Sequence, residues 1–419
     1  MKKLYSLYHW LWAFVSALAF GFPSRKLYVV GVTGTKGKST TVEVMSAMFE
    51  AAGEKTAVLS SVTRKIGKQH GRNMTGNTMP GRFAIQKFLA DAVRAKCTYA
   101  FIEVTSQGVV QHRHRFIDWN AAVFLNLAPE HIESHGSFER YRAAKVSFFE
   151  YVARSPKKDR LFFINKDDEA ESYFEEAVKH NYGNSIYLFS GEDFLRNVLS
   201  EHYDLRSEKE RKALGEWVLA DFNLEDEAAA YALAKARGVS WDAVAYALTH
   251  FKGVPGRLEV AQEKPFVAVI DYAHTPDSLR KLYHTLRKDH LMSGGKLIAV
   301  LSSAGGGRDK WKRPEMGRVA AEFCSFIVLT NEDPYDEKPE DIMGEIKVGI
   351  LESGFSPAKV FALADRREAI RKAFSLAEKG DVVVATGKGS EMFINGKNGS
   401  KIPWNDRSVF DEELKNLKN

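Results

Sequence analysis

The residues best suited to chemistry form the segment Gly31-Val32-Thr33-Gly34-Thr35-Lys36-Gly37-Lys38-Ser39-Thr40, where a predicted strand ends and a predicted helix begins. Glycines there let backbone N–H groups approach phosphate oxygens, and the helix start adds the positive end of its dipole. Lys38 is placed to reach terminal phosphates, and a hydroxyl of Ser39 or Thr40 can hold Mg²⁺. Although Val32 stands where the usual G-x-x-x-x-G-K-[ST] spacing expects glycine, the combination predicts a loop that binds nucleotide phosphates.

Two further groups of polar residues follow predicted strands of the same region. Glu103 comes directly after the strand 99–102, and a carboxylate at the carboxyl edge of a parallel sheet faces the ligand crevice. It can hold Mg²⁺ directly or through water, or it can simply cap the next segment. Segment 126–136 holds two histidines and two carboxylates within six residues. That composition suits metal binding or acid–base work, but exposed loops share it, so both interpretations stay open.

The elements that must position these residues alternate between apolar strands and amphipathic helices. This alternation predicts an α/β fold, a doubly wound and mainly parallel sheet that carries the phosphate-binding loop. After the Gly/Pro-rich segment 253–256 the alternation starts afresh and predicts a second, Rossmann-like α/β domain. The predicted strands are 27–32, 56–60, 98–104, 121–127, 161–164, 266–270, 296–302, 326–329, 360–363 and 382–385, and the clearest helices are 39–52, 82–96 and 137–153.

Composition bounds the function classes. A chain of 419 residues, against about 150 per domain, predicts two or three domains, and 44% apolar residues can form sizeable cores. The net charge of +6 is too small to indicate nucleic-acid binding but suits anionic small substrates. Two distant cysteines, Cys97 and Cys324, exclude a disulfide framework and a zinc ribbon, and they fit a reducing compartment.

The amino terminus is apolar and aromatic, with no charged residue between positions 4 and 24. We expect residues 1–25 to form a helix that packs on the protein or lies at a membrane interface. A spanning helix is the second alternative, although it would place Lys2 and Lys3 outside against the positive-inside rule. A cleaved signal peptide is the third.

The motifs, taken in order, resemble those of the Mur ligases, and within them the MurE type, the UDP-N-acetylmuramyl-tripeptide synthetases. The resemblance covers the chain from about residue 23 to its end, divided into a central domain at 26–252 and a carboxyl-terminal domain at 253–419. The motifs that carry it are Gly34-Thr35-Lys36-Gly37-Lys38-Ser39-Thr40, Glu103-Val104-Thr105-Ser106, Asn126-Leu127, His131, His135-Gly136, Ala143-Ala144-Lys145, Gly253-Val254-Pro255-Gly256-Arg257, Asp271-Tyr272-Ala273-His274-Thr275-Pro276-Asp277, Gly305-Gly306-Gly307-Arg308-Asp309, Lys312-Arg313-Pro314, Asp365-Arg366, Gly387-Lys388-Gly389 and Asp406-Arg407.

The resemblance implies an ATP-dependent amide ligase that needs Mg²⁺. A substrate carboxylate attacks the γ-phosphate of ATP to give an acyl phosphate, which an amine then captures. The implied catalytic residues are Lys38, Glu103, His131 and Lys145, and the implied metal-site residues are Ser39, Thr40, Glu103, His131 and Lys145. Lys145 matches a lysine that the family converts to N6-carboxylysine, whereas composition alone favours an exposed lysine on a helix.

The remaining roles that the resemblance implies concern nucleotide and substrate. The nucleotide-binding residues are Gly34, Thr35, Lys36, Gly37, Lys38, Ser39, Thr40, Asn223, Arg257, Asp271, Tyr272, His274 and Asp365. The substrate-binding residues are Thr105, Ser106, Arg113, Glu332, Asp333, Pro334, Tyr335, Gly387 and Glu391.

Three departures from the family pattern alter the expected substrate. MurE enzymes have an additional amino-terminal domain that binds the uridine nucleotide, and only about 25 residues precede the first strand here, too few for one. The amino-acid selecting motif Asp-Asn-Pro-Arg appears as Glu332-Asp333-Pro334-Tyr335, so no guanidinium is present to grip the distal carboxylate of diaminopimelate. Nearby acids, Asp333 among them, favour a cationic amine such as lysine or ornithine. Four substrate-facing positions also differ: Gln107, Asp226, Gly307 and Ser390.

We therefore expect a cytoplasmic, monomeric ligase of cell-wall precursor synthesis, working with ATP and Mg²⁺ on a UDP-MurNAc-dipeptide-like precursor and an amino acid. Contact with the inner face of the membrane through residues 4–22 is a further hypothesis, with a lipid-linked or partner-held precursor as substrate. The alternatives are a folyl or other polyglutamyl ligase and a noncatalytic, membrane-associated nucleotide-binding protein. We expect no nucleic-acid partner.

Overall fold

The computed structural model describes residues 2–75, 77–130, 135–181, 183–307 and 309–417, with only the backbone described for residues 2–5 and 216. The chain splits into two compact units, Met1–Lys252 and Gly253–Asn419. Each unit holds a mainly parallel sheet with helices between its strands, so the expected α/β class is confirmed.

The sheet of the first unit has eight strands. They are β1 (Tyr28–Thr33), β2 (Thr56–Leu59), β3 (Thr63–Ile66), β4 (Gln69–Arg72), β5 (Tyr99–Glu103), β6 (Ala121–Phe124), β7 (Arg160–Asn165) and β8 (Asn184–Phe189). Their spatial order is β4-β3-β2-β5-β1-β6-β7-β8, with β3 and β4 antiparallel at one edge. Central strand β1 pairs in parallel with β5 and β6, so the carboxyl ends of all three open at the same edge.

The helices of the first unit cover both faces of this sheet. They are α1 (Lys2–Ala19), α2 (Lys38–Ala51), α3 (Arg82–Arg94), α4 (Ser106–Val110), α5 (Phe138–Ala153), α6 (Glu171–Lys179), α7 (Gly191–Asp193), α8 (Ser200–His202), α9 (Glu208–Leu214), α10 (Glu216–Leu219), α11 (Asp221–Ala236) and α12 (Trp241–His250). Neighbouring β1 residues Val29 and Val30 belong to different buried clusters, one with α3 and α5 and the other with α2 and α11. Period-2 alternation therefore builds two cores from one strand.

Helix α1 packs on the first unit through α3. Phe20 contacts Phe83 with ring centroids 4.8 Å apart, and Trp10 and Phe14 contact Phe116. The opposite side of α1 is exposed, including Leu7, Leu11 and Trp12. Among the residues that the structure describes, none of the helices combines the length and apolar character that a membrane span requires.

The second unit repeats the architecture with six strands in its main sheet. They are β9 (Glu259–Gln262), β10 (Val267–Ile270), β11 (Leu297–Leu301), β12 (Phe326–Leu329), β13 (Val360–Ala362) and β14 (Val382–Ala385), in the order β13-β12-β11-β14-β10-β9. Among the described strands of this sheet, only the edge strand β9 runs antiparallel. A small hairpin follows, formed by β15 (Phe393–Asn395) and β16 (Lys401–Pro403).

The helices of the second unit are α13 (Pro276–Thr285), α14 (Lys312–Phe323), α15 (Pro339–Glu352), α16 (Arg366–Ser375) and α17 (Asp406–Asn416). Helix α13 begins with a capping box between Thr275 and Ser278, and Pro276 fills its first turn. The motif at 271–276 is thus a strand-to-helix turn that also places Tyr272 and His274 at the carboxyl end of β10.

Candidate active site

The predicted phosphate loop lies between β1 and α2. Gly37 has φ 83°, a left-handed conformation that suits glycine, and α2 begins at the next residue, Lys38. The Lys38 ammonium folds back over the loop and donates to the carbonyl oxygens of Gly34 and Thr35, each at 2.9 Å. The loop therefore supplies the hydrogen-bond acceptors of its own lysine. A terminal phosphate of a bound nucleotide would take the place of these carbonyl oxygens as the acceptor.

Glu103 and Ser39 form the candidate magnesium site. Glu103 is buried at the end of β5, and its Oε2 accepts hydrogen bonds from the Ser39 hydroxyl at 2.8 Å and from the Ser61 amide at 2.9 Å. Its Oε1 lies 3.8 Å from the Lys38 ammonium. A carboxylate and a hydroxyl are oxygen ligands of the kind that Mg²⁺ uses together with water and phosphate, so the donor set fits this metal. Thr40, the other predicted hydroxyl, is buried in α2.

Lys145 lies on α5 and is buried, with 1% of its surface exposed, so the alternative of an exposed lysine is wrong. Its ammonium donates to the Gly34 carbonyl at 2.6 Å and lies 4.8 Å from the centre of the Tyr141 ring. Burial first, and then the charge of Lys38, hold the pKa of Lys145 well below its usual range. The two lysines thus meet at one carbonyl oxygen, that of Gly34.

Side chains that the motif analysis gave no role hold the loop in place. The Asn126 carboxamide oxygen accepts the amides of Thr35 and Lys36 at 3.2 and 2.9 Å. The Tyr141 hydroxyl lies 3.1 Å from the Thr35 hydroxyl. Glu130 accepts from the Lys36 ammonium at 3.0 Å. Asn126 and Glu130 belong to the segment 126–136 that the sequence marks for metal binding or acid–base work, and the structure shows that both contact the loop, whereas no local pattern indicates Tyr141.

Asp226 reaches the loop from α11. A Cβ built on Gly37 would lie 2.0 Å from its Oδ1, so only glycine fits there, and Thr41 donates to the same oxygen at 3.1 Å. The next residue, Glu227, is fully buried, and within the described part of the chain neither of its carboxyl oxygens has a hydrogen-bond partner. Burial and the charge of Asp226 raise the pKa of Glu227 well above its usual range.

The predicted substrate residues of this unit follow Glu103 in the chain. Thr105 caps α4 by accepting the amide of Gly108 at 3.1 Å, and the Ser106 hydroxyl lies 3.0 Å from His135 Nε2. The Arg113 guanidinium donates to the Gln111 side-chain oxygen at 2.6 Å. His131, predicted to bind the second Mg²⁺, lies outside the described residues. Asn223 is buried and donates to the Trp217 carbonyl at 2.8 Å.

In the second unit, four of the predicted nucleotide-binding residues lie together around the carboxyl end of β10, and the predicted substrate residue Glu391 contacts one of them. The Arg257 guanidinium lies 4.2 Å from the centre of the Tyr272 ring, and the Tyr272 hydroxyl donates to Glu391 at 3.2 Å. His274 Nδ1 donates to the Tyr272 carbonyl at 2.7 Å. Asp271 lies beside them, but its carboxylate accepts the amides of Leu258 and Ala273, both at 2.7 Å.

Two other predicted residues of this unit have structural partners of their own. Asp365 is exposed and caps α16 by accepting the amide of Glu368 at 2.9 Å. Gly387 has φ 98°, and a Cβ there would lie 2.4 Å from Glu332 Oε2. Glycine therefore brings the backbone after β14 against the selecting motif. Burial is the main cause that raises the pKa of Glu332.

The acidic residues expected to suit a cationic amine, Asp333, Asp336 and Glu337, all have partners within the second unit. Asp333 is buried and accepts from the Lys388 ammonium at 2.7 Å and from Asn395. Asp336 accepts the amide of Asn398, and Glu337 accepts from the Arg313 guanidinium. These carboxylates are held by internal donors, which the local sequence could not show. In the same motif, Tyr335 has φ 52° and lies against Gly306, and a Cβ on Gly305 would lie 2.2 Å from the Pro334 carbonyl oxygen.

Two protein-family models match this chain and identify its family. Residues 32–227 match the Mur ligase middle domain, and residues 256–389 match the Mur ligase glutamate ligase domain. The chain belongs to the Mur ligase family. Mur ligases are ATP-dependent amide ligases, and the phosphate loop, Glu103 and Lys145 all lie within the matched middle domain.

Individual relatives place the chain beside the MurE-type Mur ligases. It is 33% identical over 430 residues to the UDP-N-acetylmuramyl-tripeptide synthetase of Roseiflexus sp. (strain RS-1), covering 96% of this chain and 81% of the relative. It is 34% identical over 414 residues to the UDP-N-acetylmuramoyl-L-alanyl-D-glutamate--2,6-diaminopimelate ligase of Syntrophomonas wolfei subsp. wolfei, with the same coverage. A solved structure of a UDP-N-acetylmuramoyl-L-alanyl-D-glutamate--2,6-diaminopimelate ligase matches with a TM-score of 0.59 at 27% identity, over 94% of this chain and 79% of that one.

Proposed function

We propose that this Mur ligase adds an amino acid to the D-Glu carboxylate of UDP-MurNAc-L-Ala-D-Glu, with ATP hydrolysed to ADP and phosphate. The observation that carries the proposal is the meeting of Lys38 and Lys145 at the Gly34 carbonyl, beside the Glu103 carboxylate, in a chain whose relatives are named for this reaction. The polyglutamyl and noncatalytic alternatives lack a comparable observation.

The chemistry proceeds in two displacements. A carboxylate oxygen of D-Glu attacks the γ-phosphorus of ATP, and ADP leaves to give an acyl phosphate. The amine nitrogen then attacks the acyl carbon, phosphate leaves, and the nitrogen loses a proton. The loop amides and Lys38 hold the phosphates in line for attack. Mg²⁺, held by Ser39 or Thr40 with Glu103, would offset the repulsion between the two anionic reactants.

We further propose that Lys145 is carboxylated on Nζ. Its neutral amine adds to CO₂ and releases one proton, which gives an anionic carbamate. Burial against the Gly34 carbonyl and the Tyr141 ring supports this modification, because the same environment disfavours the ammonium form. The carbamate and His131 would then complete the metal site.

We propose that residues of the second unit contact the nucleotide. Arg257, Tyr272 and His274 form a contiguous group, which supports a joint role in contacting the nucleotide. Asn223, Asp271 and Asp365 are engaged with the backbone, so we propose that they position neighbouring segments as well as approaching the nucleotide.

The proposed amine is lysine or another diamino acid without a second carboxylate. The support is Tyr335, which supplies no guanidinium at the position where Mur ligases that select diaminopimelate have arginine. Tyr335→Arg is expected to raise the relative kcat/KM for meso-diaminopimelate, and an unchanged preference would remove this support. Asp336→Asn serves as a control because it lies outside the selecting motif.

We also propose that the enzyme is a cytoplasmic monomer whose α1 touches the inner membrane surface. Leu11 and Trp12 are exposed on α1, and Arg25 beyond its end is exposed and basic, which suits an anionic bilayer. Flotation with anionic liposomes tests this, with Leu11→Glu as the variant and Leu417→Glu as the control. Wild type that stays with soluble protein would refute the contact.

The function is tested by incubating the purified protein with Mg²⁺-ATP, UDP-MurNAc-L-Ala-D-Glu and a panel of amino acids. Phosphate release and product mass are followed together. A product heavier by one amino-acid residue, formed only with ATP, would support the proposal and identify the amine. Bound ATP with no product from any amine would count against this substrate.

A further inference from the structure

A group of basic side chains lies beside the predicted substrate residues of the first unit. It consists of Arg82 at the start of α3, His112 and Arg113 just after α4, and His9 on α1; we call it the basic cluster. Both guanidiniums meet at Gln111, since Arg82 donates to its backbone carbonyl at 2.5 Å and Arg113 donates to its side-chain oxygen at 2.6 Å. Arg113 also donates to the Met79 carbonyl. The two arginines are thus held close together by neutral acceptors.

The two arginines of the basic cluster have no acidic counterpart among the described residues. No described carboxylate lies within ion-pair distance of Arg82 or Arg113, and the Nε of each is buried without a hydrogen-bond partner in the described part of the chain. By contrast, Arg94 at the other end of α3 pairs with Asp91. Partly buried guanidiniums are costly without an anionic partner, so two of them side by side are suited to binding an anion.

The electrostatics of the neighbouring groups agree with this geometry. Burial, followed by Arg113, lowers the pKa of Arg82. Burial, followed by Arg115, His9 and Arg82, lowers the pKa of His112 to about 4. Burial, then Arg82 and Arg113, also lowers the pKa of His9. Each charged neighbour acting on the two histidines is a cation, which is the condition that an incoming anion would relieve.

Helix α1 forms one wall of the basic cluster. The Ser6 hydroxyl lies 2.8 Å from His112 Nε2. The rings of Trp10 and Phe14 pack on the Phe116 ring, with centroid distances of 5.2 and 5.3 Å. The inner side of α1 is therefore fixed against the segment that carries His112 and Arg113, while its outer side stays exposed. This arrangement gives α1 a role in the site that its sequence did not suggest.

The position of the basic cluster connects it with the carboxylate substrate. Strand β5 ends at Glu103, α4 follows at Ser106, and the chain then reaches Gln111, His112 and Arg113. Met79 packs on α4, because a Cβ on Gly108 would lie 2.4 Å from its Sδ. The basic cluster therefore lies along the segment that leads away from the magnesium carboxylate, where a second charged group of a long substrate can reach.

We propose that the basic cluster is an oxyanion site, in which Arg82 joins Arg113 to bind a second anionic group of the carboxylate substrate, with α1 as its wall. This inference rests on the proposed function for the identity of that substrate. Two planar guanidinium forks suit a phosphate or a carboxylate, both of which can accept bidentate hydrogen bonds. This anionic group positions the substrate and is distinct from the carboxylate that is phosphorylated.

The first test measures binding without turnover. Full-length protein saturated with Mg²⁺ and a non-hydrolysable ATP analogue, which fills the phosphate loop, is titrated calorimetrically with inorganic phosphate and, separately, with glutarate. We expect saturable binding that weakens about tenfold or more in Arg82→Gln and is unchanged in Arg94→Gln, a matched arginine on the same helix. Tighter binding of phosphate indicates a phosphate ligand, and tighter binding of glutarate indicates a carboxylate ligand. Absence of binding by either anion, or equal binding by Arg82→Gln, would overturn the proposal.

The second test uses kinetics with UDP-MurNAc-L-Ala-D-Glu. Arg82→Gln should raise the KM for this substrate about tenfold while kcat and the KM for ATP stay within about twofold, and Arg82→Lys should recover part of the loss. The melting temperature of Arg82→Gln should be equal to or above that of wild type, because an uncompensated cation is removed. An unchanged KM would refute the site. If no variant turns over this substrate, the proposed function fails, while the calorimetry still decides the oxyanion site.

Discussion

Buried cations in the two units have opposite environments. In the first unit, Lys145 is 1% exposed and donates to a backbone carbonyl, and no described carboxylate lies within ion-pair distance of it. In the second unit, Lys388 is equally buried but contacts Asp333 at 2.7 Å and also Glu391. Burial with nearby Lys38 lowers the pKa of Lys145, whereas Glu391 and Asp333 outweigh burial and raise the pKa of Lys388.

The same contrast extends to arginine. Arg366 is buried and makes a bidentate ion pair with Asp406 at 2.8 and 2.7 Å, and Asp406 outweighs burial to raise its pKa. Arg82 and Arg113 in the first unit have only neutral acceptors among the described residues. The described buried cations Lys388 and Arg366 of the second unit therefore have internal anionic partners, whereas Lys145, Arg82 and Arg113 of the first unit are the cations for which we propose modification or anionic ligands.

The strongest test of this comparison is Lys38→Ala. The Lys38 ammonium has two loop carbonyls and Glu103 nearby, and it is the group that would contact the transferred phosphate. We expect turnover to fall by at least about 10³-fold with a melting temperature close to that of wild type. Lys166→Ala, which removes an exposed lysine paired with Asp193, is the control and should keep full activity. Residual turnover above one tenth of wild type would contradict the assigned role.

The converse test removes an acid from the second unit. Asp406→Ala leaves Arg366 buried and unpaired, so we expect a loss of about 3 to 5 kcal/mol in the free energy of unfolding of that unit. Urea denaturation followed by tryptophan fluorescence measures it, because Trp404 donates to Asp406 at 2.8 Å and reports on the site. Asp411→Asn, which loosens a partly exposed pair with Arg407, should change stability by less than about 0.5 kcal/mol. Equal losses in the free energy of unfolding for the two substitutions would show that the buried pair is no more important for stability than the partly exposed one.

Lys145→Ala separates a chemical role from a structural one. We expect kcat to fall about 100-fold and to be largely restored by added acetate or formate, because a short carboxylic acid can supply the missing anionic group. Lys388→Ala is the matched control: it also removes a buried lysine, but its loss should be one of stability that no carboxylic acid restores. Failure of rescue at Lys145 would count against carboxylation.

Much of the fold could be predicted from the sequence because apolar periodicity and turn residues mark the central elements. The predicted strand 326–329 and strand 382–385 match the structure in both bounds, and the helix predicted at 39–52 is observed as Lys38–Ala51. The edge elements were missed for a physical reason. Strand β4 is exposed along its whole length, and its polar sequence Gln-His-Gly-Arg has no alternation to detect.

The residues of the candidate site also fall into those that the sequence indicates and those that only the structure shows. Lys38, Ser39 and Glu103 follow from the strand-end and loop pattern, because each lies at a local transition that the sequence marks. Tyr141 contacts the loop only after folding, so no spacing rule finds it, and the contact of Glu130 with Lys36 is equally invisible although its segment was singled out. The basic cluster was equally hidden, since His9, Arg82 and Arg113 come from three separate segments. Long-range contacts of this kind need the folded chain.

The smallest predicted effect concerns a buried acid of the first unit. Asp226 stands where the resemblance expects asparagine, and its carboxylate lies against Gly37 and Thr41 of the phosphate loop. A negative charge there opposes the ATP phosphates, so Asp226→Asn should lower the KM for ATP by a few-fold, on the order of 1 kcal/mol, with kcat little changed. Glu227→Gln is a close control, because it changes the adjacent buried carboxyl and leaves the contacts of Asp226 with Gly37 and Thr41 in place. Steady-state kinetics at varied ATP measures both variants. A KM for ATP that rises in Asp226→Asn would show that the carboxylate supports the loop through its hydrogen bond with Thr41 more than it repels the nucleotide.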